Sequence, residues 1–254
     1  MVIESASPPR RFGSRSGRPE SGRGPRFRRP LKVISFLLVV TAIAAAVFWF
    51  ELIPRYRPDL RAGEQYGIDI SNHQKDINWT EVAADDISLV YMKATEGQDF
   101  QDKRFAKNWD GAAAAGIARG AYHFFTLCAP GAAQAANFLR TVPTDPEALA
   151  PAVDLEYSGG CTERPDNASF QRELSTFIET VEAETGKEVL LYAMPSFTNR
   201  YPLEAGLLTR DRWVRSLFRR PKSDAWAVWQ VSDRGRVKGI GEPTDIDVWA
   251  APES

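Results

Sequence analysis

The sequence predicts an α/β fold, a TIM-like (β/α) barrel with irregular final strands, preceded by one transmembrane helix. From residue 66 onward, short runs rich in β-forming residues alternate with segments of helical periodicity, which is the pattern of repeated βα units around a sheet. One uncharged apolar run precedes this alternation. The helical signals weaken after residue 194, so we expect the last third of the barrel to be irregular.

The apolar run extends from Val33 to Phe50 and is long enough for one membrane crossing. As a helix rising ~1.5 Å per residue, it would span roughly 27 Å. Residues 1–32 contain nine Lys and Arg against two acidic residues, which predicts a cytoplasmic N-terminus. A cleavable signal peptide is the alternative, because Ala42 and Ala44–Ala46 resemble a cleavage site. The apolar run continues beyond these alanines, which favours an uncleaved anchor.

The chain therefore divides into four predicted segments. We expect a basic disordered cytoplasmic tail (1–30), a transmembrane anchor (31–53), a linker (54–65) and a folded domain (66–254) on the periplasmic or extracellular side. The part of the chain after residue 32 has 23 basic and 31 acidic residues, which argues against nucleic acid as a ligand. Two cysteines and two histidines make a zinc site unexpected, and no cofactor is predicted.

Eight strands are predicted in the folded domain: Tyr66–Ser71, Ile87–Ala94, Ala118–Phe124, Ala150–Glu156, Glu188–Ala193, Arg212–Ser216, Ala225–Val231 and Asp245–Trp249. Three segments between them have helical periodicity: Gln101–Ala115, Gly131–Leu139 and Ser169–Glu184. Asp166 or Asn167 is the expected N-cap of the third helix. In a parallel barrel, functional side chains lie at the C-terminal ends of the strands.

The fourth predicted strand ends with two acids, Asp154 and Glu156, in the segment PAVDLEY. Residues i and i+2 of a strand point to the same face, so both carboxyl groups should reach one pocket. Two adjacent carboxyl groups titrate as a coupled pair, one keeping its proton while the other is charged. Cleavage of a glycosidic bond needs this division of roles. Alone, such a triplet is weak evidence, since it usually marks a solvated strand edge.

Further acids lie near the first and last predicted strands. Asp69 ends the first strand, and Asp245 and Asp247 lie in TDIDVW at the last strand. First and last strands are neighbours in a closed barrel, so these aspartates are expected at the same mouth as Asp154.

The two cysteines, Cys128 and Cys161, both lie in the predicted exported part of the chain. Oxidising conditions there permit a disulfide between them. The alternative is two separate buried thiols.

Five segments together resemble glycoside hydrolase family 25, a family of lysozymes first known from Chalaropsis fungi. The resemblance covers essentially all of residues 66–250, and the segments follow the order of the family: GIDISNHQKDINW, VYMKATEG, GAYHFF, PAVDLEY and WAVWQVSDRGRVKGIGEPTDIDVW. The resemblance implies a modified βα barrel with N-acetylmuramidase activity on the β-1,4 bond between N-acetylmuramic acid and N-acetylglucosamine. Two positions depart from the family pattern, Lys75 in the first loop and Arg215 in the sixth strand.

The resemblance also implies roles for four catalytic residues. Glu156 corresponds to the acid, and Asp154 to the residue that polarises the 2-acetamido group of the substrate, which attacks with retention of configuration. Asp69 and Asp245 match the acids of the first and last strands, and Asp247 stands where asparagine is common.

Six side chains near strand ends are candidates for binding the sugar: Tyr91, Glu96, Tyr122, Tyr157, Tyr192 and Trp229. Aromatic rings suit the apolar faces of pyranoses, but core packing is an equally good reading for most of them. Glu96 has the alternative of a structural salt bridge with Lys93. We assign His73 and His123 to the scaffold, because neither has a nucleophile nearby in its motif.

These observations predict a membrane-anchored peptidoglycan hydrolase that acts outside the cytoplasmic membrane. Its expected partners are peptidoglycan glycan strands and the membrane itself, and its oligomeric state is left open. A catalytically silent protein that binds peptidoglycan and tethers the envelope is the alternative function.

Overall fold

The structure, a computed structural model, describes residues 28–157, 160–222 and 225–250. The chain forms two compact units, Met1–Ala45 and Ala46–Ser254. Residues 1–27 of the predicted basic tail lie outside the described residues. Its last three residues, 28–30, have helical backbone and belong to the first helix.

The first helix, α1, extends from Arg28 to Val47 and is followed by a π-helical turn, Phe48–Leu52, and a 3₁₀ turn, Ile53–Arg55. Within the helical stretch Lys32–Arg55, an 18-residue window has a mean hydropathy of 2.6, and none of that window is buried. By length and composition it is a candidate membrane span. A signal sequence near an N-terminus would have the same properties.

The second unit contains nine described strands and six described α-helices. The strands are β1 (Gln65–Ile70), β2 (Ile87–Glu96), β3 (Phe100–Gln101), β4 (Ala118–Phe124), β5 (Ala152–Leu155), β6 (Leu190–Ala193), β7 (Arg212–Arg215), β8 (Val228–Gly235) and β9 (Thr244–Trp249). The helices are α2 (Trp79–Ala83), α3 (Phe105–Ala114), α4 (Gly131–Thr141), α5 (Asn167–Thr185), α6 (Pro195–Thr198) and α7 (Ala205–Leu208).

Eight strands close into a barrel, and β3 is an appendix paired with the end of β2. The strand order is β1-β9-β8-β7-β6-β5-β4-β2-β3, and an additional pairing of β1 with β2 closes the ring. All eight predicted strands are present. The predicted helices correspond to α3, α4 and α5, of which α3 begins later than expected because residues 100–101 form β3.

The last strand reverses direction, so the parallel sheet that the βα alternation predicts does not extend to β9. Strand β9 pairs antiparallel with both β8 and β1, whereas the pairs from β1 through β8 around the rest of the ring are parallel. Only residues 236–243 connect β8 to β9, and a connection this short permits a hairpin but no crossover helix. The beginning of β9 therefore lies at the mouth formed by the ends of the other seven strands.

The irregular final third follows the prediction. Only the short helices α6 and α7 lie between β6 and β7, and no described helix lies between β7 and β8. The regular part is different, because long helices cover it. Helix α4 contacts β2 and packs on α5, and Phe138 and Phe177 of these helices lie against His123 of β4 in a large apolar core.

Helix α5 begins and ends at recognisable caps. The side chain of Asp166 accepts a hydrogen bond from the backbone N–H of Ser169 at 2.8 Å, so Asp166 is the N-cap. Gly186 ends the helix with a φ of 68°, in the left-handed region where glycine is favoured.

The predicted linker, residues 54–65, is packed on the barrel. The backbone N–H of Arg236 donates to the carbonyl of Pro54 at 2.8 Å. Arg57 pairs with Asp85 at 2.7 Å, and Arg220 donates to Glu64 at 2.8 Å. The folded unit thus begins well before residue 66.

A disulfide joins the loop after β4 to the loop after β5. Cys128 and Cys161 are bonded, with their Cα atoms 5.8 Å apart and 33 positions apart in the sequence. The bond ties together two loops at the mouth of the barrel.

We expect the double variant Cys128→Ser, Cys161→Ser to unfold with a free energy lower by about 3–4 kcal/mol, because a closed loop of this length restricts the unfolded chain. Urea unfolding of the oxidised protein and of the double variant measures the difference. Reductant should lower the stability of the wild type and leave that of the variant unchanged. A difference below about 1 kcal/mol would contradict the expectation.

Candidate active site

A cavity of about 110 Å³ opens at the C-terminal ends of the parallel strands. Four acids and several polar or aromatic side chains meet there, and they come from seven different strands or strand ends. The lining residues are Asp69, Tyr122, Ala152, Val153, Asp154, Glu156, Tyr192, Trp213, Gln230 and Asp245.

Strand β5 delivers two of the acids. Asp154 lies within the strand and Glu156 follows its last residue, and both line the cavity. Their carboxyl groups are in hydrogen-bonding contact with each other. The Oδ1 atom of Asp154 is buried, and no donor group of the described residues reaches it.

Burial and mutual repulsion keep protons on this pair. Burial raises the pKa of Asp154 well above its usual range, and the negative charges of Glu156 and Asp69 add to the effect. Burial also raises the pKa of Glu156. The ammonium group of Lys93 opposes both shifts. The pair therefore holds a proton at pH values where isolated carboxyl groups are ionised.

Lys93 is fixed beside the cavity by its own partners. Its ammonium group lies 2.7 Å from Glu96 and 4.5 Å from the ring centre of Phe124. Glu96 does not line the cavity, and its carboxylate accepts a hydrogen bond from Lys93, as in the salt-bridge alternative.

Asp69 and Asp245 face each other across the pairing of β1 and β9. The amide nitrogen of Gln230 donates to Asp69 at 3.3 Å and to Asp245 at 2.9 Å, while its oxygen accepts from the hydroxyl of Tyr192 at 3.2 Å. Every hydrogen-bonding group of this amide is used. It holds two carboxyl groups together at the mouth.

Sequence reasoning missed Gln230. Its signal is a lone amide within the apolar strand segment WAVWQV, at alternate positions with the buried Val228 and Ser232. Trp213, on β7, was also missed. It lines the cavity and donates its indole N–H to Asp247 at 3.0 Å.

The acids of β1 and β9 also favour their neutral forms. Burial raises the pKa of Asp69 well above its usual range, with a further contribution from Asp247. Burial raises the pKa of Asp245 to about 9, and the charges of Asp69 and Asp233 add to it. The positive charge of Arg215, one of the departures noted in the sequence, partly offsets the rise in the pKa of Asp245 and of Glu156.

The aromatic candidates divide into two groups. Tyr122 and Tyr192 line the cavity. Tyr91 and Trp229 do not line it, and both are buried. Tyr91 is buried, stacks on Trp249 at 5.5 Å and donates to the carbonyl of Ala150 at 2.7 Å.

Trp229 is also committed to packing. It is buried on the outward face of β8 and donates its indole N–H to the carbonyl of Ser216 at 2.8 Å. Tyr157 is 36% exposed beside the cavity, with its ring 5.2 Å from that of Phe197. It remains a candidate for contact with a longer glycan.

The two histidines have scaffold contacts. His123 is fully buried between the hydroxyl of Thr95 at 2.7 Å and the side-chain oxygen of Gln134 at 3.0 Å, and burial lowers its pKa to about 4. His73 lies 3.0 Å from the hydroxyl of Ser71 in the turn after β1. Among the described residues, no cluster of His, Cys, Asp and Glu could hold a metal ion.

The chain and its fold can be compared with known proteins. The family model for glycosyl hydrolases family 25 matches residues 68–240 of the chain. The chain belongs to this family. The resemblance read from the five sequence segments is therefore confirmed, and the protein is a glycoside hydrolase of the lysozyme and muramidase family.

Individual relatives agree with this placement. The uncharacterised protein YegX of Escherichia coli K12 is 32% identical over 200 residues, which cover 72% of this chain and 69% of YegX. Lysozyme M1 of Streptomyces globisporus is 32% identical over 192 residues, 70% of this chain and 65% of the lysozyme. A family 25 glycosyl hydrolase from Bacillus anthracis has a similar solved structure, with a TM-score of 0.70 and 34% identity. That match covers 78% of this chain and 94% of the other.

We expect Asp245→Asn to raise the melting temperature of this family 25 protein, and by more at pH 8 than at pH 5. An acid whose pKa is raised on folding destabilises the fold progressively as pH rises from its unfolded pKa, near 4, toward its folded value of about 9. Asparagine removes that penalty while keeping the shape. Thermal unfolding at both pH values checks the prediction, with Asp99→Asn as an exposed control. The same change in melting temperature at both pH values would refute it.

Proposed function

We propose that this protein hydrolyses peptidoglycan at the β-1,4 bond between N-acetylmuramic acid and N-acetylglucosamine, with Glu156 as the acid. The observation that carries the proposal is the contact between Asp154 and Glu156 in a cavity at the barrel mouth. Asp154 acts on the 2-acetamido group of the sugar, which serves as the nucleophile.

The unsatisfied Oδ1 atom of Asp154 supports this division of roles. Without substrate, deeper burial places the shared proton on Asp154. An acetamido N–H that donates to Oδ1 stabilises the charged form of Asp154 and moves the proton to Glu156. Substrate binding thereby protonates Glu156, the acid that faces the glycosidic oxygen.

The reaction then proceeds in two balanced steps. Glu156 gives its proton to the bridging oxygen as that bond to the anomeric carbon breaks, and the acetamido carbonyl oxygen bonds to the same carbon. Asp154 accepts the amide proton. Water then attacks the anomeric carbon and gives a proton to Glu156, while the bond from that carbon to the acetamido oxygen breaks and Asp154 returns the proton to the amide nitrogen. Two displacements at one carbon retain its configuration.

The contact between the two carboxyl groups also bears on the alternative stereochemistry. An inverting pair needs about 6.5–9.5 Å between its carboxyl groups, which leaves space for the attacking water. Asp154 and Glu156 touch, so this pair does not provide that space. Asp69 and Asp245 line the same cavity, so either carboxyl group, when ionised, stabilises the developing positive charge of the sugar.

We expect Glu156→Gln to lower the release of reducing ends from purified peptidoglycan by about 10²–10⁴-fold, because the amide cannot deliver a proton. The matched control is Glu147→Gln, an exposed residue before β5 at the opposite end of the strand from the cavity. Unchanged release by the Glu156 variant would reject Glu156 as the acid. A wild type that binds peptidoglycan without releasing reducing ends would instead establish the silent tether.

We further propose that the protein acts while anchored in the cytoplasmic membrane through the apolar helix, with the barrel on the outer side. Support comes from the span Lys32–Arg55 and from the many basic residues before it. The exposed aromatic residues Phe48, Trp49 and Phe50 suit the outer membrane–water interface.

The full-length chain should remain in the membrane fraction after an alkaline wash, since a spanning helix is held by apolar burial and a peripheral protein is released. Mass spectrometry of that fraction should detect peptides from before residue 46. A soluble protein whose mature N-terminus follows Ala46 would show that the helix is a cleaved signal sequence.

A further inference from the structure

Asp247 is a buried acid that the proposed reaction does not use. It is 3% exposed, and it follows Asp245 by two residues on β9, so both side chains point into the barrel. The indole N–H of Trp213 donates to its Oδ1 atom at 3.0 Å. An ionised carboxylate would accept several donors. Among the described residues, this indole is the hydrogen-bond donor recorded for it.

The other contact of Asp247 is with a second acid. In the β1–β9 ladder, Asp69 lies opposite Asp245 and Gly67 lies opposite Asp247, so Asp69 and Asp247 are diagonal neighbours on one face. Gly67 has no side chain, and a Cβ there would stand 3.8 Å from that of Asp247. The two carboxyl groups are in hydrogen-bonding contact.

Two carboxyl oxygens form a hydrogen bond only when a proton lies between them. We propose that Asp69 and Asp247 share a single proton, and that Asp247 is thereby a positioning residue that sets the orientation and charge of Asp69. Asp69 lines the cavity and Asp247 does not. A pair with one proton carries one negative charge, which is shared between Asp247 and Asp69, and Asp69 faces the cavity.

The surroundings of the pair are consistent with one charge. Asp245 on β9 repels a second charge, and Tyr91 on β2 lies close enough to interact with Asp247. Glu156, after β5, adds negative potential at Asp69. Gln230 on β8 donates a hydrogen bond to Asp69, and Trp213 on β7 donates one to Asp247. Burial raises the pKa of both aspartates.

This inference rests on the proposed function for its kinetic consequence, but its spectroscopic test does not. At pH 7 the infrared carbonyl band of a protonated carboxylic acid should contain a component from the shared proton. We expect that component to disappear in Asp247→Asn and also in Asp69→Asn, because either amide donates to the remaining carboxylate and leaves it ionised. Subtracting the wild-type spectrum removes the bands of the other buried acids. Persistence of the full band in either variant would overturn the shared proton.

Kinetics test the positioning role. In Asp247→Asn the pKa of Asp69 falls, because a like charge is replaced by a permanent donor. The acid limb of kcat/KM should move to lower pH while activity near neutral pH is retained. Asp247→Leu loses both hydrogen bonds, and we expect kcat to fall about 10- to 100-fold. If the pH profile of Asp247→Asn matches that of the wild type, or its kcat falls as far as that of Asp247→Leu, Asp247 has only a packing role. A wild type without activity would reject the proposed function and leave the infrared result standing.

Discussion

The central constraint in this structure is that several carboxyl groups are enclosed together and cannot all be ionised. Asp69, Asp154, Glu156 and Asp245 line one cavity, and Asp247 lies behind it. Each buried negative charge raises the free energy of ionising the next carboxyl group, so protons are retained at neutral pH. An acid catalyst needs a retained proton, and a scaffold that had only to fold would avoid this arrangement. The cavity is thus a place where stability is given up for reactivity.

Two structural features make the enclosure possible. The reversal of β9 brings the beginning of that strand to the ends of the others, so that Asp245 faces Asp69. Gln230 then bridges the two with a fully used amide. The disulfide and the long helices hold the β4–β5 side, where Asp154 and Glu156 emerge. Acids from distant parts of the chain are fixed by backbone pairing more than by each other.

The strands and the positions of most of the acids could be predicted from the sequence. Strand segments such as Ile87–Glu96 are rich in β-formers, and the period of two places Asp154 and Glu156 on one face. The direction of β9 could not be read from alternation, because a strand has the same period in either direction. It depends on the length of the connection before it. The expectation that Asp245 is close to Asp69 was nevertheless correct, since a closed ring makes first and last strands neighbours.

The aromatic residues show where single positions escape prediction. Tyr91 and Tyr122 lie on neighbouring parallel strands, yet one is sealed in the core and the other lines the cavity. Height along the barrel and the bulk of Trp213 and Trp249 decide between them, and neither is visible in a linear pattern. Gln230 was overlooked for a related reason, because an amide in an apolar strand reads as an anomaly until its partners are known.

The cross-link between Cys128 and Cys161 bears on when the protein becomes fully folded. In the proposed topology the barrel is translocated, and because thiols stay reduced in the cytoplasm, the loops on either side of β5 are not cross-linked before that step. A molecule that fails to leave the cytoplasm lacks this brace beside Asp154 and Glu156. Under that proposal, completion of the candidate active site is coupled to arrival outside the cytoplasm.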